Sequence, residues 1–241
     1  MGSGVYSALS GAVAKMQKLE VAVNNLANVS NIGFKASRVS FASLISDALQ
    51  NTDGQGMNFT RTSARYTDFS QGDLKRTSRS LDLAIQGQGF FKVAGADGFQ
   101  YTRQGNFTLN NQGDLVTATG EMQVIGENGP VNLPHKDVLI DEKGRITAGG
   151  VQIGRIDVYE VSDTKALRQK GNGMWELDEE GTALPAAKAG VVQGSLEQSN
   201  VNPLLLTTEV IETKRAYAAY LKTMKSFSEM SEKARQIGKL G

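Results

Sequence analysis

The sequence predicts an α+β protein: N- and C-terminal helices form a coiled-coil-like pair, and the middle of the chain folds as an all-β sandwich or barrel-like domain. Near both ends, apolar residues recur at alternating spacings of three and four, which is typical of a helix that packs against another helix. Between them, short alternating runs are separated by Gly, Asn and Asp clusters, as in a chain of strands and turns. The predicted segments are the N-terminal helix and turn motif at 1–35, an extended linker at 36–79, the β-domain at 80–198 and the C-terminal helix at 199–241.

The N-terminal helix is predicted from a long apolar stripe. The stripe consists of Val5, Leu9, Ala12, Met16, Leu19, Val23 and Leu26. Other sides of the helix are also apolar, and its charges are confined to Lys15, Lys18 and Glu20. A helix that is apolar on most sides needs more than one packing neighbour. We therefore interpret the termini as an oligomerisation device, with two amphipathic helices lying on an ordinary core as the open alternative.

The C-terminal helix has a clear beginning and a stripe of its own. Asn202 can cap the helix, and Pro203 suits the first helical position, where an N–H group is not needed. Gly238 and Gly241 suit its end. Its apolar stripe consists of Leu206, Val210, Tyr217, Tyr220, Met224 and Phe227, with Thr213, Ser231 and Ala234 at the same spacing.

An Asn-rich turn follows the first helix. Gly33 can adopt a positive φ and so lets the chain reverse before Phe34 docks. In the linker that follows, residues 40–49 are interpreted as a short helical piece. The basic excess of this region, counted from Lys35, is interpreted as a solvated surface, with a contact to an anionic neighbour as the alternative.

Composition argues against most kinds of active site. The chain of 241 residues carries a net charge of +1, has no cysteine and has no run near the ~18 apolar residues of a membrane span. This excludes disulfides and cysteine-ligated metals, and predicts neither nucleic-acid binding nor membrane insertion. His135 is the single histidine, so a His–His metal site is excluded. We expect a β-turn or bulge at residues 87–89, Trp175 in the core, and no catalytic residue, cofactor or small-molecule substrate.

Four stretches resemble the flagellar rod and hook proteins, the axial family of the bacterial flagellum. The first reads Asn-Asn-Leu-Ala-Asn-Val-Ser-Asn-Ile-Gly-Phe-Lys and ends at Lys35. The second and third read Leu-Asp-Leu-Ala-Ile-Gln-Gly-Gln-Gly-Phe-Phe at 81–91 and Tyr-Thr-Arg-Gln-Gly-Asn-Phe at 101–107. The fourth reads Gln-Gly-Ser-Leu-Glu-Gln-Ser-Asn-Val at 193–201. In its length and in residues 124–134, the chain is most similar to the proximal-rod members of the family. The distal rod protein is the alternative member.

The resemblance implies a structural subunit of the basal-body rod that polymerises through its terminal helices into a torque-transmitting drive shaft. It implies copies of the chain, other rod proteins and the surrounding ring proteins as partners, and export into the periplasmic rod through the flagellar secretion channel without a cleaved signal peptide. The two helical stripes, together with Asn28, Gly33 and Phe34, are the candidate assembly interface. A soluble glycan-binding or enzymatic β-module on a helical stalk is the alternative from a different functional class.

Overall fold

The computed structural model describes residues 2–45, 58–96, 98–178, 181–186 and 188–237. The chain divides into two compact units. The helical unit contains Met1–Ala27, Ser37–Asp68 and Val201–Gly241, and the β unit contains Asn28–Ala36 and Phe69–Asn200. The predicted combination of an N-terminal helix, a C-terminal helix and a central domain of many strands is confirmed.

The helical unit consists of two helices and one hairpin. Its elements are α1 (Gly2–Ala27), β1 (Ser37–Ile45), β2 (Asn58–Thr67) and α2 (Pro203–Ile237). The hairpin overturns the helix expected at residues 40–49, because the part up to Ile45 belongs to β1 and pairs antiparallel with β2. Residues 46–49 lie outside the described residues. Long-range pairing with β2 supplies the backbone hydrogen bonds here, and such tertiary context overrides weak local preference.

The beginning of α2 is as predicted. The Asn202 Oδ1 atom accepts hydrogen bonds from the backbone N–H groups of Leu204 and Leu205, at 3.1 and 3.2 Å, and Pro203 is the first helical residue. The cap therefore satisfies N–H groups that have no partner within the helix. The predicted end at Gly238 and Gly241 lies outside the described residues.

The two helices contact each other through large side chains on α2 and small residues on α1. A methyl group at Gly11 would come within 2.6 Å of the Tyr220 ring, and one at Gly4 within 3.0 Å of Phe227. The Lys18 Nζ atom lies 2.8 Å from the Glu209 carboxylate. The predicted stripe of α2 therefore lies toward α1.

The side of α1 that packs against α2 is not the predicted one. It carries Gly4, Ala8 and Gly11, whereas Leu9 and Met16 of the predicted stripe are exposed. Small residues let the aromatic rings of α2 approach the α1 backbone closely, which longer side chains at these positions would prevent. The expectation that the two large-residue stripes face each other is wrong for this pair.

A side-chain tether joins the end of α1 to the start of β1. The buried Asn25 amide donates to the Ser37 carbonyl oxygen at 2.7 Å, and its oxygen accepts from the Ser37 N–H at 2.9 Å. Asn25→Ala should lower the free energy of unfolding by about 1–3 kcal/mol, because it leaves two backbone groups without partners. Chemical denaturation followed by far-ultraviolet circular dichroism measures the loss. The exposed Asn111→Ala is the control, and equal stability of the two variants would contradict the tether.

The described residues of the β unit form seventeen strands. They are β3 (Leu74–Arg76), β4 (Leu83–Gln86), β5 (Phe90–Gly95), β6 (Gly98–Thr102), β7 (Thr108–Leu109), β8 (Leu115–Val116), β9 (Gln123–Gly126), β10 (Gly129–Pro130), β11 (Leu139–Ile140), β12 (Arg145–Ala148), β13 (Val151–Arg155), β14 (Val158–Val161), β15 (Leu167–Gly171), β16 (Met174–Leu177), β17 (Ala183–Pro185), β18 (Gly190–Gln193) and β19 (Ser195–Glu197).

These strands form four sheets with two apolar clusters. The largest sheet has ten strands, with the order β15-β16-β6-β5-β9-β8-β7 and with β10, β14 and β17 beside this path. A second sheet has the order β11-β12-β13, and the pairs β18-β4 and β19-β3 complete the unit. The larger cluster includes Phe91, Phe107 and Ile146, and the smaller one is built around Phe90 and Trp175. Trp175 is 1% exposed, so its predicted core position is confirmed.

Among the described residues, no helix has the length and apolar character needed to cross a membrane. Nor does that part of the chain bring together three or more acidic or histidine side chains in an arrangement suited to a metal ion. Residues 87 and 88 form a bend between β4 and β5, and Gly87 and Gly89 have positive φ values of 101° and 134°.

Candidate functional site

The Asn-rich motif that follows α1 forms a tight turn within the β unit. The Asn31 N–H donates to the Asn28 carbonyl at 3.1 Å, and the Phe34 N–H donates to the Asn31 carbonyl at 3.3 Å. Gly33 has a φ of 65°, so the predicted positive φ is confirmed. Phe34 is buried. The turn thereby directs the next side chain, Lys35, into the interior.

Three charged side chains meet in the interior of the β unit and form what we call the ion cluster. Lys35 Nζ lies 2.6 Å from Glu197 Oε1, and an Arg103 guanidinium nitrogen lies 2.9 Å from Glu197 Oε2. The side chains of Lys35 and Glu197 are 0% exposed, and that of Arg103 is 2% exposed. One carboxylate is therefore shared by two cations that have almost no access to water.

Hydrogen bonds to the backbone complete the ion cluster. Lys35 donates to the Ser70 carbonyl at 2.7 Å, and Arg103 donates to the Gly87 carbonyl at 2.8 Å. The Gly72 N–H donates to Glu197 Oε1 at 2.9 Å. Such bonds reduce the cost of burying an ion pair, because they satisfy donors and acceptors that the pair leaves over. The buried Arg103 Nε atom has no hydrogen-bond partner. The Arg103 guanidinium also lies 5.5 Å from the centre of the Phe90 ring, within the range of a cation–π contact.

The same region holds the backbones of the first and last motifs together. The Gly33 N–H donates to the Glu197 carbonyl at 2.8 Å. The Asn200 Oδ1 atom accepts from the Ala36 N–H at 2.8 Å, and its amide donates to the Ser70 carbonyl at 3.1 Å. Segments more than 160 residues apart in the chain are thus fixed side by side through both side chains and backbone.

The ion cluster is the point where the four sequence motifs meet. Lys35 ends the first motif, Gly87 and Phe90 belong to the second, Arg103 to the third and Glu197 to the fourth. Because these charged groups are buried and bonded to one another, they cannot reach a substrate. The arrangement can hold segments of the chain together, and this is a structural role.

Sequence reasoning missed the three residues of the ion cluster. The expectation that Lys35 belongs to a solvated basic surface is wrong, because its side chain is fully buried. The available signal was its place directly after Gly33 and Phe34, which dock in the interior. Spacing along the chain could not show that Arg103 and Glu197 would meet it.

The predicted interface residues lie in both units. Asn28, Gly33 and Phe34 belong to the β unit, and the remaining ones belong to α1 and α2. In α1, Leu9, Met16 and Val23 are exposed, Val5, Leu19 and Leu26 are half-buried, and Ala12 is buried. In α2, Leu206 is buried, and Val210, Tyr217, Tyr220, Met224 and Phe227 are half-buried.

Comparison with known proteins gives two domain matches and full-length relatives. Residues 84–148 match the domain described as "Flagellar hook protein FlgE/F/G D1 domain". Residues 192–237 match the one described as "Flagellar basal body rod FlgEFG protein C-terminal". The fourth motif and α2 overlap the second match, and Arg103 lies within the first.

Relatives align over nearly the whole chain. The flagellar basal-body rod protein FlgF of Caulobacter vibrioides is 30% identical over 100% of both chains. The protein of the same name from Salmonella typhimurium is 31% identical over 98% of both chains. The flagellar basal-body rod protein FlgG of Bacillus subtilis is 31% identical over 94% of this chain and 95% of the relative. The resemblance seen in the four motifs is confirmed, and the chain belongs to the family of flagellar basal-body rod proteins.

Proposed function

We propose that this chain, a structural subunit of the basal-body rod, polymerises through its terminal helices and transmits torque as part of the proximal rod. Full-length similarity to proteins named FlgF supports the proximal type. Its partners are further copies and other rod proteins, with the ring proteins around the rod. We place the subunit in the periplasmic part of the rod. It is exported there through the flagellar secretion channel, without a cleaved signal peptide.

The observation that carries the proposal is an exposed apolar stripe on α1. Its members are Tyr6, Leu9, Val13, Met16 and Val23, whose exposed fractions lie between 41% and 62%. At 3.6 residues per turn, this stripe lies on the side of α1 opposite Gly11, which contacts α2. Glu20 is the one charged residue at the same spacing. A contiguous apolar stripe of this kind on a helix favours a protein–protein interface.

The exposed stripe and the interface predicted from sequence have residues in common. Leu9, Met16 and Val23 belong to both, and the side of α1 with Gly4, Ala8 and Gly11 is already covered by α2. We propose that helices of other subunits pack against the exposed side of α1. The α1 and α2 helices of several copies would then form one coiled-coil-like bundle. A head-to-tail contact repeated by rotation and rise yields a helical assembly.

A glycan-binding or enzymatic module is not favoured. Trp175, the aromatic residue considered for stacking on a sugar, is buried among Phe69 and Phe90. As a member of a structural family, the chain is not an enzyme.

The stripe can be tested with Val13→Asp. An aspartate here should abolish rod incorporation and motility, because burying a carboxylate without a partner costs several kcal/mol. Thermal unfolding of the free chain should change little, since Val13 is exposed there. Motility of cells that carry only the variant gene, and immunoblots of isolated basal bodies, measure the effect.

The matched control is Ser228→Asp, which places the same side chain at an exposed position of α2. This variant should be incorporated at a level close to that of the unaltered chain. Normal motility of the Val13→Asp strain, or equal loss in the two strains, would refute the stripe as the assembly surface.

A further inference from the structure

The second-largest sheet of the β unit ends in an open edge. Its order is β11-β12-β13, so β13 has β12 on one side. Among the described residues, no strand pairs with residues 151–154 on the other side. The next segment, from Arg155 onward, is covered, because the Glu127 N–H donates to the Arg155 carbonyl at 3.2 Å. The open edge is therefore limited to Val151, Gln152, Ile153 and Gly154.

Two other edges of the β unit are protected against pairing with another chain. Strand β15 carries Arg168 and Lys170, both paired with acidic side chains, and such charges discourage strand addition. Strand β17 has three residues and includes Pro185, which lacks the N–H group that pairing needs.

The β13 edge lacks this protection. Residues 151–154 carry no charge, and Val151 and Ile153 are 66% and 40% exposed. The bulge in the β12–β13 pairing at Ile146 and Thr147 is the one feature of this edge that opposes strand addition. Exposed β-branched side chains beside unpaired backbone groups are the features that strand addition uses.

The sequence of this edge is self-complementary. Residues 150–154 read Gly-Val-Gln-Ile-Gly, which has nearly the same chemistry in both directions. In an antiparallel pair with a two-fold axis at Gln152, Gln152 meets its own copy and Val151 meets Ile153 of the second copy. A two-fold contact of one patch with itself is the commonest arrangement in protein dimers.

We propose that β13 pairs with β13 of a second copy and joins two three-stranded sheets into one of six strands. This surface lies outside the matched regions 84–148 and 192–237, and it shares no residue with the exposed stripe on α1. Two-fold pairing reverses the direction of one copy, whereas head-to-tail stacking keeps all copies in one direction. The β13 dimer is therefore a form of the free chain outside the rod.

A charge-swap experiment on the full chain tests the pairing. Gln152→Lys and Gln152→Glu each place two like charges directly opposite each other, which destabilises a cross-strand pair. Each variant alone should dimerise about two- to fivefold more weakly than the unaltered chain in sedimentation velocity over a range of concentrations. An equimolar mixture of the two should recover the dimer, because lysine then faces glutamate.

Controls separate this contact from association through helices. Gln169→Lys alters an exposed glutamine on the charged edge strand β15 and should leave dimerisation unchanged. Repeating the series with Val13→Asp in every chain removes the α1 stripe and should give the same result. A monomeric unaltered chain at all concentrations, unchanged dimerisation of the two Gln152 variants, or a mixture that stays monomeric would each overturn the proposal.

Discussion

Glu197→Gln should lower the free energy of unfolding of the β unit by about 3–5 kcal/mol, the usual loss when one partner of a buried ion pair is removed. Glutamine has nearly the same shape, so the loss comes from charge. Lys35 and Arg103 would remain buried beside each other without a carboxylate. Since whole domains are stable by about 5–15 kcal/mol, this is the largest effect that we expect from one side chain.

Trp175 provides the measurement. It is the single tryptophan of the chain and is buried in the β unit, so its fluorescence reports urea unfolding of that unit. The matched control is Glu176→Gln, which removes an ion pair of 2.8 Å between Glu176 and Lys170 at the surface. Exposed pairs contribute about 0–1 kcal/mol, so the control should be almost unchanged. Similar losses in the two variants would show that the ion cluster is no more important than a surface pair.

Gly33→Ala should be the second most damaging change. Its φ of 65° disfavours any side chain, and a Cβ atom there would lie 2.6 Å from the Arg103 carbonyl carbon. Backbone atoms cannot move aside as a flexible side chain can, so the turn would be pushed away from Arg103 and from the Glu197 carbonyl. We expect a loss of about 2–5 kcal/mol from backbone strain and overpacking together.

Gly120→Ala separates the two causes. Gly120 has a similar φ of 76° but no atom within 4 Å of the added Cβ, so this variant reports backbone strain alone. It should lose about 1–2 kcal/mol. Trp175 fluorescence during urea unfolding measures both variants. If Gly33→Ala is no less stable than Gly120→Ala, close packing of the turn against Arg103 is not important for stability.

Local chemistry allowed several features to be predicted from sequence. The beginning of α2 depends on Asn202 and Pro203, and the turn depends on Gly33, so each is determined by one or two neighbouring residues. The side of α2 that meets α1 follows from its large residues at helical spacing.

Features that depend on distant contacts were missed. On α1, the large residues suggested the packed side, but close approach of the Tyr220 ring requires Gly11. Local sequence predicts a helix over part of β1, because the partner strand β2 begins only at Asn58 and local preference does not report it. Lys35 looked like a surface residue, since nothing near it in the chain shows that Glu197 will cover it.

The ion cluster also sets an order of events during folding. Its two cations, at positions 35 and 103, precede their shared carboxylate at position 197, which is 162 residues after the first of them. A chain that ends before residue 190 has no counter-charge for the two cations, and it also lacks β18 and β19, the partners of β4 and β3. Contacts between such distant segments form slowly, because a long loop must close first. We therefore expect the β unit to stay open until the segment that carries Glu197 is present.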